Sequence, residues 1–340
     1  MNKRKSRFRT ALVLILSVFL VLSMSACIDN VKRGYLTVNA NEDGYTYDYY
    51  VPGSYSQRTV VPLFVVLHGG TQTAEDMANM TQMNALADEY NFIVLYPEQS
   101  TFANAYRYWN WFMAANQIRE SGEPKVIAEM ILSIKQDYQI DDEKVFIAGF
   151  SAGACMALTM GILYPDLIKG VALASGLGYA TASDGGNAYQ AMNGTLPDFK
   201  TTAEMALDNM PVEYRHPIKA LVFHGDADTR VDVVNAQYII DQISYLNDLI
   251  DDGFENESFD HNPDSVLEAT NAHEVAYSVA TYLDASGAII LQKYIVSGMA
   301  HRWAGGDPSN GFSDSLAPDM SLILYQFMME IDLEPVLDTD

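Results

Sequence analysis

Short continuous apolar runs recur along this chain, separated by segments with helical spacing. Val60 to Leu67, Phe92 to Tyr96, Gly170 to Ala174 and Ala220 to Phe223 are such runs, and Lys144 to Phe150 and Ile289 to Val296 read as further strands. The continuous runs lack the alternation of a half-exposed strand, so they predict strands buried on both faces of a mostly parallel sheet. A Tyr-rich segment, Gly44 to Val51, predicts an edge strand. Helical spacing marks Thr73 to Tyr90, with Thr73 placed to cap Glu75 and Asp76 in the first turn. The same spacing marks Pro124 to Tyr138, Ala152 to Tyr164, Val233 to Ile250 and Met320 to Met329. Strand and helix alternate, which predicts βαβ units with helices on both faces.

Two stretches interrupt that alternation. Residues 176–215 are long and rich in glycine, and residues 248–264 are acidic. Both are expected as lid-like insertions on one domain. The acidic stretch fails as a calcium loop: counted from Asp248, the ligand positions three and twelve fall on Ile250 and Phe259. It reads as a solvated acidic face.

The N-terminus has a different character. Five basic residues precede an apolar run from Ala11 to Met24, and Ser25-Ala26-Cys27 follows. A charged start, an apolar stretch and small residues before a cut site predict a secretory signal. Met24-Ser25-Ala26-Cys27 resembles a bacterial lipobox. That resemblance implies cleavage before Cys27, a lipid on its sulfur, and a membrane-anchored lipoprotein outside the cytoplasm. The expected organisation is a signal peptide over 1–26, a tether over 27–43, a catalytic domain over 44–332 and an acidic tail over 333–340. Removing the signal would leave Cys155 as the one thiol without a lipid, so no internal disulfide is expected.

The formal charge of −24 argues against nucleic acid as a partner, because phosphate binding needs clustered Lys and Arg. Hydrophobic residues make up 49%, enough for a globular core and too many for a disordered chain.

Chemistry gathers at the strand ends. Gly149-Phe150-Ser151-Ala152-Gly153 is a G-x-S-x-G between an apolar run and a helix. A sharp strand-to-helix turn exposes its serine above the sheet, and small flanking residues allow the close approach. A serine hydroxyl needs a positioned base. His301 lies in a glycine-containing loop after Ile289 to Val296. The other five histidines, His68, His216, His224, His261 and His273, read as structural. An acid to orient the imidazole follows Ala220 to Phe223: Asp228 is preferred, with Asp226 and then Asp232 as alternatives. The order Ser, Asp, His is that of α/β-hydrolases. His68-Gly69-Gly70-Thr71 ends an early strand and can offer an oxyanion donor, Gly70 or else Thr71, with Ala152 supplying the second. Trp109, Trp111 and Trp303 are aromatics near these motifs. Trp109 and Trp303, with Thr71, are expected to face substrate, and core packing is the alternative for the tryptophans.

From about Gly34 to Met329 the chain resembles the α/β-hydrolase family that groups poly(3-hydroxybutyrate) depolymerases with feruloyl and acetylxylan esterases. Leu67-His68-Gly69, Thr71-Gln72, Trp109-Asn110-Trp111-Phe112, Val145 to Gly149, Ser151-Ala152-Gly153, Tyr164-Pro165, His224-Gly225, Ala227-Asp228 and Gly298-Met299 with His301-Arg302-Trp303 carry the resemblance. It implies serine esterase chemistry with Ser151, Asp228 and His301 as the triad. The expected substrate is a polysaccharide-linked ester or a hydroxyalkanoate polyester or oligomer, with no metal or cofactor. Family members often carry paired cysteines where Gly70 and Tyr108 stand, so here packing must hold the oxyanion loop. Polymer depolymerases usually append an adsorbing domain after a linker. The short C-terminal stretch therefore favours a soluble or polysaccharide-linked ester. A peptidase of the same fold and a non-catalytic binding protein on this scaffold are the rival readings.

Overall fold

The computed structural model describes residues 32–39 and 45–331. The fold belongs to one compact unit beginning at Arg33. The expected signal peptide, Cys27 and the acidic tail lie outside the described residues.

In chain order the strands and helices begin with β1 (Gly34–Asn39), β2 (Thr46–Val51), β3 (Val61–Leu67), α1 (Ala74–Thr81), α2 (Met83–Tyr90) and β4 (Ile93–Glu98). Next come α3 (Gly122–Asp137), β5 (Ile140–Phe150), α4 (Ala152–Leu163), β6 (Gly170–Ala174), α5 (Gly185–Met192) and α6 (Phe199–Asn209). The chain continues through β7 (Ala220–Gly225), α7 (Val234–Asp251), β8 (Ser265–Thr270), β9 (Ala276–Leu283) and β10 (Ile289–Val296). It closes with a small pair, β11 (Trp303–Ala304) and β12 (Ser313–Asp314), and α8 (Met320–Met328).

Ten strands form one sheet in the order β1-β2-β4-β3-β5-β6-β7-β10-β9-β8. The middle, from β4 to β10, is parallel, and both outer pairs of strands are antiparallel. The continuous apolar runs occupy this middle because only there does an all-hydrophobic strand find cover on both sides. Phe64, Val66, Val94, Phe146, Ala148, Ala172 and Phe223 pack with Met77, Met83, Met320, Leu324 and Phe327 of α1, α2 and α8. On the other face lies α4, whose twelve residues are all buried. A helix apolar around its whole circumference belongs inside a core.

Two expectations are corrected. The Tyr-rich strand β2 is not the edge, since Gly34–Asn39, expected as tether, pairs outside it as β1. The helix expected over Thr73 to Tyr90 is two helices, broken where Gln82 turns left-handed at φ 57°. Thr73 does cap α1: its Oγ1 accepts from Asp76 N–H, and Asp76 Oδ2 accepts from Thr73 N–H. The glycine-rich insertion contains two helices, α5 and α6, and α6 touches the acidic insertion through Phe199 against His261 and Lys200 against Glu255. Asp248 is 2% exposed and accepts from the Asn256 and Ser258 N–H groups, so this acid braces its loop rather than facing solvent.

Candidate active site

The register brings five strand ends level. Leu67 pairs with Gly149, Phe150 with Ala174, Ala174 with Phe223, and Gly225 with Val296. Loops leaving β3, β5, β6, β7 and β10 therefore emerge side by side at the carboxyl edge, where open α/β sheets place their ligands.

Ser151 sits in the turn between β5 and α4. Its φ is 55° and its ψ is −121°, a conformation that non-glycine residues rarely adopt. Its N–H donates to Ala174 O at 2.8 Å, tying the turn to β6. The flanking glycines are required for close approach: a β-carbon on Gly149 would strike the Gly153 carbonyl, and one on Gly153 would strike Leu67 O. Ser151 Oγ makes no hydrogen bond among the described residues.

His301 and Asp228 are joined. His301 Nδ1 lies 2.7 Å from Asp228 Oδ2, so Nδ1 carries the proton and donates to the carboxylate. The other carboxylate oxygen accepts from Arg230 N–H at 2.8 Å and Val231 N–H at 3.0 Å. Burial pushes the Asp228 carboxyl up, but hydrogen bonds from His224, His301 and Val231 more than offset it and hold the group well below the usual carboxylate range. The imidazole packs on Phe150, the residue before Ser151, with ring centroids 4.8 Å apart. Its Nε2 has no partner among the described residues, and neither has the Ser151 hydroxyl.

The alternative aspartates have other tasks. Asp226 Oδ1 accepts from Gly298 N–H at 2.6 Å and so ties the β7 turn to the loop carrying His301. Asp232 Oδ1 accepts from Val234 N–H at the start of α7.

The loop after β3 is held from several sides. His68 Nδ1 lies 2.7 Å from Gly69 O, and its Nε2 accepts from Gln99 N–H at 3.0 Å. Burial lowers this imidazole's pKa to about 4, so it stays neutral. Gly69 N–H donates to Gln72 Oε1, and Thr71 N–H donates to Tyr106 O at 2.7 Å. Thr71 is thereby occupied as an oxyanion donor. Gly70 N–H, and Ala152 N–H at the first position of α4, have no partner among the described residues. The Tyr108 ring covers Gly70 in the place of the absent disulfide.

The expected substrate-facing tryptophans are buried. Trp109 is 0% exposed and its Nε1 donates to His68 O, while Trp303 is 0% exposed and its Nε1 donates to Ser321 Oγ. Each finds an internal acceptor, which makes burial of an indole favourable. Asn110 continues the brace: its N–H and side-chain amide donate to the buried Glu123. The exposed aromatics of this region are Phe102, Tyr106 and Tyr108, of which the sequence patterns singled out only Tyr108, and not as a substrate contact.

Residues 45–258 match the family described as esterase PHB depolymerase. The chain belongs to this family. The matched span includes Ser151 and Asp228 and ends before His301. Relatives include a poly(3-hydroxyalkanoate) depolymerase C of Paucimonas lemoignei, 29% identical over 244 residues, 71% of this chain and 54% of that protein. A probable acetylxylan esterase A of Aspergillus clavatus is 28% identical over 201 residues, 55% of this chain and 62% of the relative. A feruloyl esterase B of Talaromyces stipitatus is 24% identical over 266 residues, 74% and 66% of the two chains. The chain spans about half the length of the first of these curated relatives. Among solved structures, an acetyl xylan esterase from Aspergillus awamori superposes with a TM-score of 0.65 at 21% identity, covering 79% of this chain and 94% of that one. That likeness establishes a shared α/β-hydrolase fold.

Proposed function

We propose that this chain is an exported serine esterase. Ser151 attacks the ester carbonyl while His301 Nε2 takes its proton, and Asp228 holds the imidazole in the required tautomer. Gly70 and Ala152 N–H groups receive the oxyanion, and loss of one such donor costs on the order of 3 kcal/mol of barrier. The alcohol leaves, and water repeats the sequence on the acyl-enzyme. The scheme needs neither metal nor cofactor.

The observation that carries this reading is the 2.7 Å bond between His301 Nδ1 and Asp228 Oδ2, beside a serine held in a strained turn. The substrate class proposed is a feruloyl or acetyl ester of a polysaccharide, or a hydroxyalkanoate ester, in keeping with the names of the relatives. Cys27 is proposed as a lipid attachment site that places the enzyme on the outer side of a membrane.

Turnover of a short p-nitrophenyl ester by the wild type, and its loss in Ser151→Ala, tests the chemistry. A Ser151→Ala protein that still turns over would refute it. Fluorophosphonate labelling at Ser151 separates an enzyme from a binding protein on the same scaffold. Assays on feruloyl, acetyl and 3-hydroxybutyrate esters then assign the acyl group. Radiolabelled palmitate incorporated by wild type and not by Cys27→Ser tests the anchor.

A further inference from the structure

Asp228 has a second imidazole against it. His224, the next-to-last residue of strand β7, is fully buried, with Nε2 2.9 Å from Val231 O and 3.4 Å from Asp228 Oδ2. Both neighbours are acceptors, so Nε2 carries the proton in the neutral ring. Its Nδ1 then presents a lone pair, and that atom is buried without a partner.

A second orphaned group lies on the adjacent strand end. Ser175 follows the last registered pair of β6 and β7, Ala174 with Phe223, and its N–H donates to Phe223 O at 2.9 Å. It is 1% exposed, its φ is 50°, and its hydroxyl has no partner. An acceptor and a hydroxyl, both buried and unpaired, thus stand at the adjacent ends of β6 and β7. Leaving such groups unpaired costs about 1–3 kcal/mol each, and a bridging water is the common remedy at a polar interior site. Asp228 Oδ1 is already taken by two backbone N–H groups. Oδ2 accepts from His301 Nδ1 at 2.7 Å and has His224 Nε2 3.4 Å away, while the 2.9 Å partner of that Nε2 is Val231 O.

We propose that His224 is a positioning residue of the ester-hydrolysing site. Its Nε2–H shares Asp228 Oδ2 with His301, and the Ser175 hydroxyl, reaching Nδ1 through a bridging water, fixes the tautomer that permits it. The ionisable groups facing His224 are Asp228 on its own turn and, across that carboxylate, His301 on the loop after β10. From α4 the nearest such group is the Cys155 thiol, which is bonded to Ser151 O and Leu177 N–H. Removing the 224 N–H leaves Oδ2 to His301 alone. The imidazolium is then paired more strongly and the carboxylate is freer to rotate.

This inference rests on the esterase reading. Its test compares His224→Phe, which removes both nitrogens, with His224→Gln, which restores an N–H near Nε2. With p-nitrophenyl acetate, kcat of His224→Phe should fall roughly ten- to a hundred-fold, as misoriented catalytic groups do. KM should stay within about twofold. The acid limb of kcat/KM should move to higher pH, and His224→Gln should recover both rate and limb. A folded His224→Phe with wild-type kcat and limb overturns the proposal. So does a lost rate with an unmoved limb that Gln does not rescue. If His224→Phe does not fold, Ser175→Ala carries the test: a limb displaced upward supports the proposal, and an unmoved one overturns it. A wild type without turnover defeats the esterase reading by itself. The downfield proton resonance of His301 Nδ1 then decides the 224 contact, since it shifts in His224→Gln or His224→Phe only if Oδ2 is shared.

Discussion

The Tyr108 ring lies directly on Gly70, filling the volume that a β-carbon on residue 70 would need. The loop has little room to yield, because Gly69 N–H and Thr71 N–H on either side are both bonded. Tyr108 is 40% exposed and is therefore the partner that must move.

Gly70→Ala should consequently swing the ring out and distort the proposed oxyanion donor. We expect a loss of about 1–3 kcal/mol in stability, the usual cost of overpacking, with a fall in kcat. Tyr108→Ala in the same chain should recover much of both. A double-mutant cycle on thermal unfolding and kcat should give a coupling of at least about 0.5 kcal/mol, as for residues in contact. Additive effects would show that the two residues do not constrain one another.

Asp228 makes a prediction about acid. Its folded pKa is depressed, so its charge stabilises the fold above the unfolded carboxylate value, about 3.9, and this stabilisation is lost as pH falls below that. The stability difference between wild type and Asp228→Asn should be flat from pH 8 to about pH 4 and shrink below it. Turnover should fall by about four orders of magnitude in the Asn variant, whose amide favours the wrong imidazole tautomer. Urea melts across pH check the first part and p-nitrophenyl ester kinetics the second. A difference that shrinks already between pH 7 and 5 would contradict the depressed pKa.

His68 acts in a different pH window. It is fully buried, and burial lowers its pKa to about 4 from the ordinary 6.5. Below pH 6.5 the unfolded chain binds a proton that the native ring refuses, so stability falls as pH drops from 6.5 to 4. The full effect is on the order of 3 kcal/mol. His68→Gln, whose carbonyl can still accept from Gln99 N–H, should be less stable at pH 7 and lose less on acidification. Equal slopes for the two proteins between pH 6.5 and 4 would remove His68 as the cause.

What was legible in the chain follows from which forces act locally. β3, β6, β7 and the buried second half of β5 announce themselves because a strand covered on both faces must be apolar throughout. The elbow is legible because two glycines and a serine must stand in fixed order where helix and strand nearly touch. β8 was missed because four of its six residues in a row are exposed and it forms the sheet edge. Helix α5 was hidden by Gly185 and Gly186, although Asp184 is a readable cap that accepts from Asn187 N–H. Trp109 was misjudged because its acceptor, the His68 carbonyl, is 41 residues distant along the chain. The separate tasks of Asp226 and Asp228 depend on which loop each carboxylate reaches, and spacing alone does not encode that.

Ser151 lets strain be separated from chemistry. Its φ of 55° with ψ of −121° suits glycine, and a side chain held there stores about 1–3 kcal/mol. The bond from Ser151 N–H to Ala174 O and the close approach of Gly149 to Gly153 hold the turn against that strain. Ser151→Ala keeps the β-carbon and hence the strain, whereas Ser151→Gly releases it. The glycine also frees the unfolded chain, which returns part of the gain. Both variants should lose turnover, but the Gly protein should unfold at the higher temperature, by about 1 kcal/mol in stability. Calorimetry on the two inactive proteins makes the comparison without any activity assay. Equal midpoints would mean that the backbone at Ser151 is relaxed in solution, and that the serine is presented by the surrounding loops rather than by the turn itself.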